Sequence, residues 1–373
     1  MDLELNEDQR LLRDSVARLL AERHGAEARQ RHGAETRALW ADFAALGLLG
    51  LPFGEAMGGS GLGAVETMLV MQEFGRAMVL EPYLASVVVA GTLLALTGQK
   101  AAIERLIAGS SIPVLAHAED KARHDLAHVA STARWQDGRW VLDGRKIVVS
   151  HGADADLLIV SARSSGAVGE EDGVSLFLLP ADTPGLLRQA YVTVDGAPAA
   201  NLVLEGIRLP DSQRIGPAGG AMTLIRQAAA RAIAALCAEA VGAMEQMQAL
   251  TVEYLKTRQQ FGRAIGSNQA LQHRAVEMQV ALEQARSMAL FAAMMAEAAP
   301  AERDRAMSAA KLQIHRSMRF LGQQAIQLHG GIGITEEYAI GHLFRRAAVI
   351  EQSFGDTPYH LARLVEAGGL APV

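Results

Sequence analysis

The chain has 373 residues and a net charge of −6, with half of its residues apolar and a fifth charged. That length supports two or three domains with sizeable cores, and the absence of any long basic run argues against nucleic-acid binding, which needs clustered cations. A single cysteine, Cys237, excludes an internal disulfide framework. With neither a signal-like N-terminus nor a run of roughly 20 apolar residues, the sequence reads as a soluble cytoplasmic protein without membrane segments.

Asn6 and Gln9 have the spacing of a helix capping box. Leu12, Val16, Leu19 and Leu20 then recur at helical spacing, and Gly25 is placed to end that helix. The Gly-rich stretch 58–63 superficially resembles a dinucleotide loop but lacks a preceding strand and a downstream acid. Apolar helical patterning resumes near Ala64 and continues to about Gly109.

The middle of the chain changes character. Asp137–Gly138, flanked by Trp135 and Trp140, is a type I′ hairpin signal. A second Asp-Gly pair, Asp143–Gly144, precedes the β-rich run 146–150, and 157–160 and 174–179 read as further strands. His117, His124 and His128 lie near Glu119 and Asp120. Metal ligation is conceivable there, but a polar loop with solvated histidines is the favoured reading.

The last part returns to helices. An Ala-rich pattern over 223–259 predicts a helix about 55 Å long, with a possible break near Gly242 and with Cys237 as a small core residue. Further helices are expected at 268–299 and 301–329, with Gly330 as a C-terminal stop, Thr335 as the cap of the next helix, and a final helix near Pro358. Met278, Met288, Met294 and Met295 read as core. The chain is thus α+β and mainly α: a helical domain at 1–112, a small β-domain at 113–213 and a four-helix bundle at 214–373.

Two short segments carry the chemistry. At 257–262, Arg258 offers a planar, permanently charged fork suited to phosphate, Gln260 a polar amide and Phe261 a flat apolar face. At 327–331, Gln327 precedes Gly330 and Gly331, which let a backbone approach a ligand closely. Each also has a bland reading: Arg258 as a solvated charge at a helix end, Gly330–Gly331 as a plain helix cap.

Both motifs, in this order and separation on a C-terminal helical region, resemble the FAD-binding signature of the acyl-CoA dehydrogenase family, and the domain order is similar over essentially the whole length. The resemblance implies FAD, gripped by the first motif of one subunit and by the second motif of its neighbour. It also implies a contact from Thr357 near the flavin's diphosphate and ribityl region, and a hydroxyl from Ser150 near N5. The implied reaction is 2,3-desaturation of an acyl-CoA thioester, in which a carboxylate takes the α-proton and hydride passes to flavin N5. The implied electron acceptor is electron-transfer flavoprotein.

This sequence departs from the family pattern at three places. The family's Thr-Glu-Pro and Gly-Ser-Asp loop corresponds to 116–120, without Pro or Gly-Ser. The tryptophan that covers the flavin is replaced by Val148. Gly355 stands where most members carry the glutamate base, and the alternative base position falls at or beside Ala232. Asp356 and, less directly, Glu239 are the local substitutes, although Asp356 also fits as the cap of the last helix. The stretches 231–241 and 354–357 resemble the small subunits of two-gene bacterial enzymes of the pimeloyl-CoA or steroid side-chain type. A homotetramer and an α2β2 heterotetramer with a sister dehydrogenase subunit are both consistent with the resemblance. So are a non-catalytic scaffold role and a flavin oxidase or monooxygenase on the same fold.

Overall fold

The computed structural model describes residues 5–24 and 36–369, which form two compact units. The first contains α1 (Glu7–Arg23), α3 (Ala64–Ala77) and the chain from residue 233 onward. The second contains α2 (Thr36–Ala45), a π-helix at Tyr83–Ala90, α4 (Gly91–Leu96), α5 (Lys100–Ile107) and the whole β-sheet.

α1 starts with the expected reciprocal cap. Gln9 N–H donates to Asn6 Oδ1 at 2.8 Å, and Asn6 N–H donates to Gln9 Oε1 at 3.1 Å. The proposed stop at Gly25 lies outside the described residues. The Gly-rich stretch 58–63 is a loop pinned to the preceding turn. Ser60 N–H bonds Gly50 O and Gly61 N–H bonds Phe53 O, and no strand leads into it.

The sheet is mixed. Its strands are β1 (Pro113–Ala116), β2 (Thr132–Gln136), β3 (Arg139–Ser150), β4 (Leu157–Arg163), β5 (Val174–Pro180), β6 (Leu186–Val192), β7 (Pro198–Leu209) and β8 (Arg214–Ile215), and the order is β6-β7-β3-β2-β4-β5-β8. β1 lies parallel to β4. β4 is buried at every position, as a strand covered on both faces must be, and it reads accordingly as a near-continuous apolar run. Asp137 and Gly138 make the two-residue turn between β2 and β3, with φ of 51° and 73° and Trp135 opposite Trp140. The second Asp-Gly pair is not a turn. Gly144 sits at an irregularity inside β3, where an added Cβ would lie 2.3 Å from Ser131 Oγ.

The helical unit is organised by α6 (Met222–Thr257), α7 (Gln269–Met295), α8 (Pro300–His329), α9 (Ala339–Gln352) and α10 (Thr357–Glu366). α6 runs unbroken through Gly242, contrary to the expected break. A Cβ on Gly242 would lie 1.8 Å from Gln72 O, and one on Gly75 would lie 1.9 Å from Glu239 O. These glycines let α3 and α6 meet backbone to backbone, so Gly242 serves packing rather than bending. α9 begins at Ala339 rather than at Thr335, whose hydroxyl instead donates to Ile332 O. Of the four methionines expected in the core, Met278 is fully buried but Met294 is exposed, in line with Val276, Val280 and Phe291 on one side of α7. Cys237 is buried, and burial pushes its thiol up to about 12, so it behaves as an inert core residue. Among the described residues, no helix is long and apolar enough to cross a membrane.

The α3–α6 contact predicts that Gly242→Ala, which adds one methyl where backbone already stands, destabilises the fold by about 3 kcal/mol, measured by urea unfolding; wild-type stability would contradict the contact.

Candidate functional site

The first motif forms a miniature hairpin at the end of α6. Arg258 N–H still donates to Tyr254 O, and Ile265 N–H returns to Arg258 O, both at 2.9 Å. Between them Gln259–Gln260 pair with Arg263–Ala264, leaving Phe261 and Gly262 as a two-residue turn with φ of 52° and 77°. Phe261 is 100% exposed. A bulky residue in the left-handed region costs about 1–2 kcal/mol, and an exposed aromatic ring gains nothing from water, so the free chain holds Phe261 in a doubly unfavourable state of the kind found at ligand and partner sites. Arg258 and Gln260 are exposed, and among the described residues their side chains have no hydrogen-bond or ionic partner.

The second motif sits at the end of α8. Gly330, with φ of 63°, ends the helix, and its N–H bonds Gln327 O and Ile326 O. A Cβ added to Gly330 or to Gly331 would meet nothing within 4 Å, so the backbone is open there. Gln327 is exposed. His329, 3% exposed, stacks on Tyr254 with ring centroids 4.6 Å apart and planes at 28°, and its other neighbour is Tyr338. Burial lowers the His329 pKa, keeping the ring neutral, and Nδ1 pairs with Ala325 O at 2.8 Å. Tyr254 lies one turn before Arg258 and His329 immediately before Gly330. The stack therefore brings both motifs to one end of the helical unit within a single chain.

Thr357 is not part of that cluster. Its hydroxyl is 3.3 Å from His315 Nδ1 and 3.2 Å from Glu351 Oε1, and Glu351 in turn pairs with Arg319. His315 precedes His329 by fourteen residues on α8, about 21 Å of helix axis. The loop carrying Thr357 is fixed by Lys311, a lysine with no exposed surface whose Nζ donates to Ile350 O at 3.0 Å and to Ser353 O. These are terminal carbonyls of α9, where a cation complements the helix dipole. Burial drives the Lys311 pKa down to about 8. In the same loop Gly355 has φ of 114°, and a Cβ there would lie 2.5 Å from His360 Nε2 and 2.5 Å from Tyr359. Asp356 is the N-cap of α10, accepting from Tyr359 N–H at 2.9 Å. Glu239 is buried against Arg346, Oε1 to Nε 2.5 Å, and Ala232 is fully buried.

Ser150 belongs to the β-sheet unit, where it is exposed at the end of β3. The strand is irregular between Lys146 and Val149, and Val148, 56% exposed, takes φ of 49° while its N–H donates to Asn201 Oδ1 at 3.2 Å. Beneath this surface lies a polar cluster. Lys146, fully buried, donates to Glu119 Oε1 at 2.6 Å and to Ser161 Oγ at 3.0 Å, while His117 Nδ1 is 2.8 Å from the same Ser161 Oγ. Ala130 and Ser131 N–H groups also bond Glu119. Burial alone would raise the Glu119 pKa, but Lys146 and these donors hold it below the usual range. Desolvation and the neighbouring ammonium push His117 down to about 3. His117 is therefore a neutral member of a buried network rather than a solvated histidine, and the described residues contain no grouping able to hold a metal.

The sequence reading missed Lys146, Lys311, Tyr191 and Asn201. The first two carried only a weak signal, Lys146 at the head of the apolar run 147–149 and Lys311 between Ala310 and Leu312; the other two carried none, because their placement depends on strand register. It also missed Glu81, which precedes the π-helix. Among the described residues its Oε2 is buried without a partner, and burial raises its pKa to about 7.

The three successive domains of acyl-CoA dehydrogenases match this chain: the N-terminal domain over residues 6–110, the middle domain over 114–207 and the C-terminal domain over 219–368. The L-prolyl-[peptidyl-carrier protein] dehydrogenase of a Serratia species is 30% identical over 354 residues, covering 91% of each protein. Among solved structures, a variant of the Tcur3481–Tcur3483 steroid ACAD is 28% identical with a TM-score of 0.86, covering 97% of each chain. The FAD complex of PigA is 26% identical with a TM-score of 0.88, covering 99% of this chain and 100% of that one.

The raised pKa of Glu81 gives a pH-dependent prediction. Between pH 4.5 and about 7 the folded chain keeps a proton that the unfolded chain has lost, so this group's contribution is present below 4.5 and is lost as pH rises through 7. Glu81→Gln is expected to stabilise the protein by about 2 kcal/mol at pH 8 and to change little at pH 4; equal effects in urea unfolding at both values would contradict the assignment.

Proposed function

We propose, from the premise that this chain belongs to the acyl-CoA dehydrogenase family, that it holds FAD and serves in the 2,3-desaturation of an acyl thioester. The observation that carries this reading is the pair of uncommitted segments at one end of the helical unit: the Arg258–Phe261 hairpin and the open backbone at Gly330–Gly331, joined by the Tyr254–His329 stack. The residues fit the cofactor. Among the described residues Arg258 has an unpaired guanidinium for a diphosphate, Phe261 a free aromatic face, Gln260 and Gln327 free amides, and the two glycines leave room for a close ligand. When bound, FAD supplies the oxidising chemistry. This chain's residues bind and orient it: Arg258, Gln260, Phe261, Gln327, Gly330, Gly331 and Thr357 from the helical unit, and Ser150 from the β-sheet unit. The roughly 21 Å of α8 between Gly330 and the Thr357 loop favours two chains sharing each cofactor.

The proton acceptor is the point at which this chain differs. Gly355 has no room for a side chain against His360 and Tyr359, and Asp356 commits its carboxylate to the α10 cap. Glu239 is committed to Arg346. The reading these facts favour is a subunit of a two-component assembly in which a sister chain brings the carboxylate, as an α2β2 heterotetramer. The exposed apolar line Val276, Val280, Phe291 and Met294 on α7 supports an assembled state. Electron-transfer flavoprotein is the acceptor that family membership favours.

Two variants test this function. Arg258→Ala removes a charge-assisted contact and is expected to weaken FAD binding at least tenfold; wild-type flavin content after purification would count against the site. Asp356→Asn keeps the helix cap and is expected to leave the steady-state rate of the assembled enzyme within about twofold, whereas a fall of about a thousandfold with intact folding would make Asp356 the base.

A further inference from the structure

The flavin-facing side of the β-sheet has lost its expected aromatic residue at position 148, yet the strand register supplies another. β3 pairs Ser150 with Ala199 of β7, and β7 pairs Ala199 with Tyr191 of β6. Residues directly opposite one another in antiparallel strands point to the same face. Tyr191, Ala199 and Ser150 therefore form one row across three strands, with the small, buried Ala199 in the middle and a longer side chain at each end. Asn201, two residues along β7 from Ala199, shares that face.

The Tyr191 ring is held in this row through its hydroxyl. The hydroxyl donates to Asn201 Oδ1 at 3.5 Å, and the same oxygen accepts from the Val148 amide at 3.2 Å. Val148 itself, a β-branched residue at φ of 49°, is a backbone outlier that needs such support. The turn that carries Val148 and Ser150 is thus tied to the phenol of Tyr191 through the Asn201 side chain, which accepts from both. Tyr191 is only partly buried, which leaves its ring available to a flat ligand.

We propose that Tyr191 supplies the aromatic surface against the isoalloxazine ring, in place of residue 148, and that it acts together with the Ser150 hydroxyl on the same row. This rests on the flavin reading above. It assigns a cofactor contact to the edge strand β6 and makes Asn201 a positioning residue that couples the ring to the strained turn.

The test is FAD titration of the assembled protein, followed by flavin fluorescence, with Tyr191→Phe, Tyr191→Trp and Tyr191→Leu. An oxidisable aromatic side chain in contact with a flavin quenches its emission, phenylalanine much less than tyrosine or tryptophan. Flavin yield is therefore expected to rise in Tyr191→Phe and to fall or stay low in Tyr191→Trp, both with FAD affinity within about twofold of wild type. Tyr191→Leu is expected to weaken binding about fivefold, the range for losing one aromatic contact. Identical yields in wild type, Tyr191→Phe and Tyr191→Trp would overturn the proposal even if Tyr191→Leu fails to fold. Arg258→Ala separates the two readings. Loss of FAD there, with unchanged yields at 191, leaves the flavin site standing and removes Tyr191 from it; a wild-type protein that binds no FAD removes both.

Discussion

The His329–Tyr254 stack is the contact on which the candidate site depends. It joins the last turns of α6 and α8, helices separated in sequence by the whole of α7. The two motifs hang from those turns: Arg258 and Phe261 beyond one, Gly330 and Gly331 beyond the other. The stack works because His329 is neutral. A charged ring in that buried position would lose hydration without gaining an anionic partner, and the Ala325 carbonyl fixes the proton on Nδ1.

A second design element is the use of buried lysines to hold irregular backbone. Lys146 anchors Glu119 beneath the strained turn at Val148, and Lys311 anchors the end of α9 above the Gly355 loop. Taking each ammonium out of water costs several kcal/mol. Short hydrogen bonds to carboxylate or carbonyl oxygens offset that cost, and in both cases the ordered product is a loop at a proposed cofactor contact.

What the sequence made legible was local. The Asn6–Gln9 box, the Asp137–Gly138 turn and the stop at Gly330 each follow from a few adjacent residues, and each is present in the structure. What it hid depended on distant neighbours. Gly242 reads equally as a break or as a contact until Gln72 is known to lie against it. His117 reads as solvated until Ser161 and Lys146 arrive from other strands. Thr335 has the chemistry of a cap, but its hydroxyl turns back to Ile332. The motif residues were readable by type and spacing, whereas their arrangement was not, because only the aromatic stack between helix ends decides which segments are neighbours. Tyr191 was invisible for the same reason, since it reaches Ser150 through two strand registers.

The most direct measurement is a crystal structure of the purified assembly with FAD bound. The account predicts one FAD whose atoms lie within 4 Å of both the Arg258 side chain and the Gly330–Gly331 backbone of the same chain. An FAD touching only one of those segments, or a bound cofactor lying elsewhere with Phe261 still fully exposed, would contradict it.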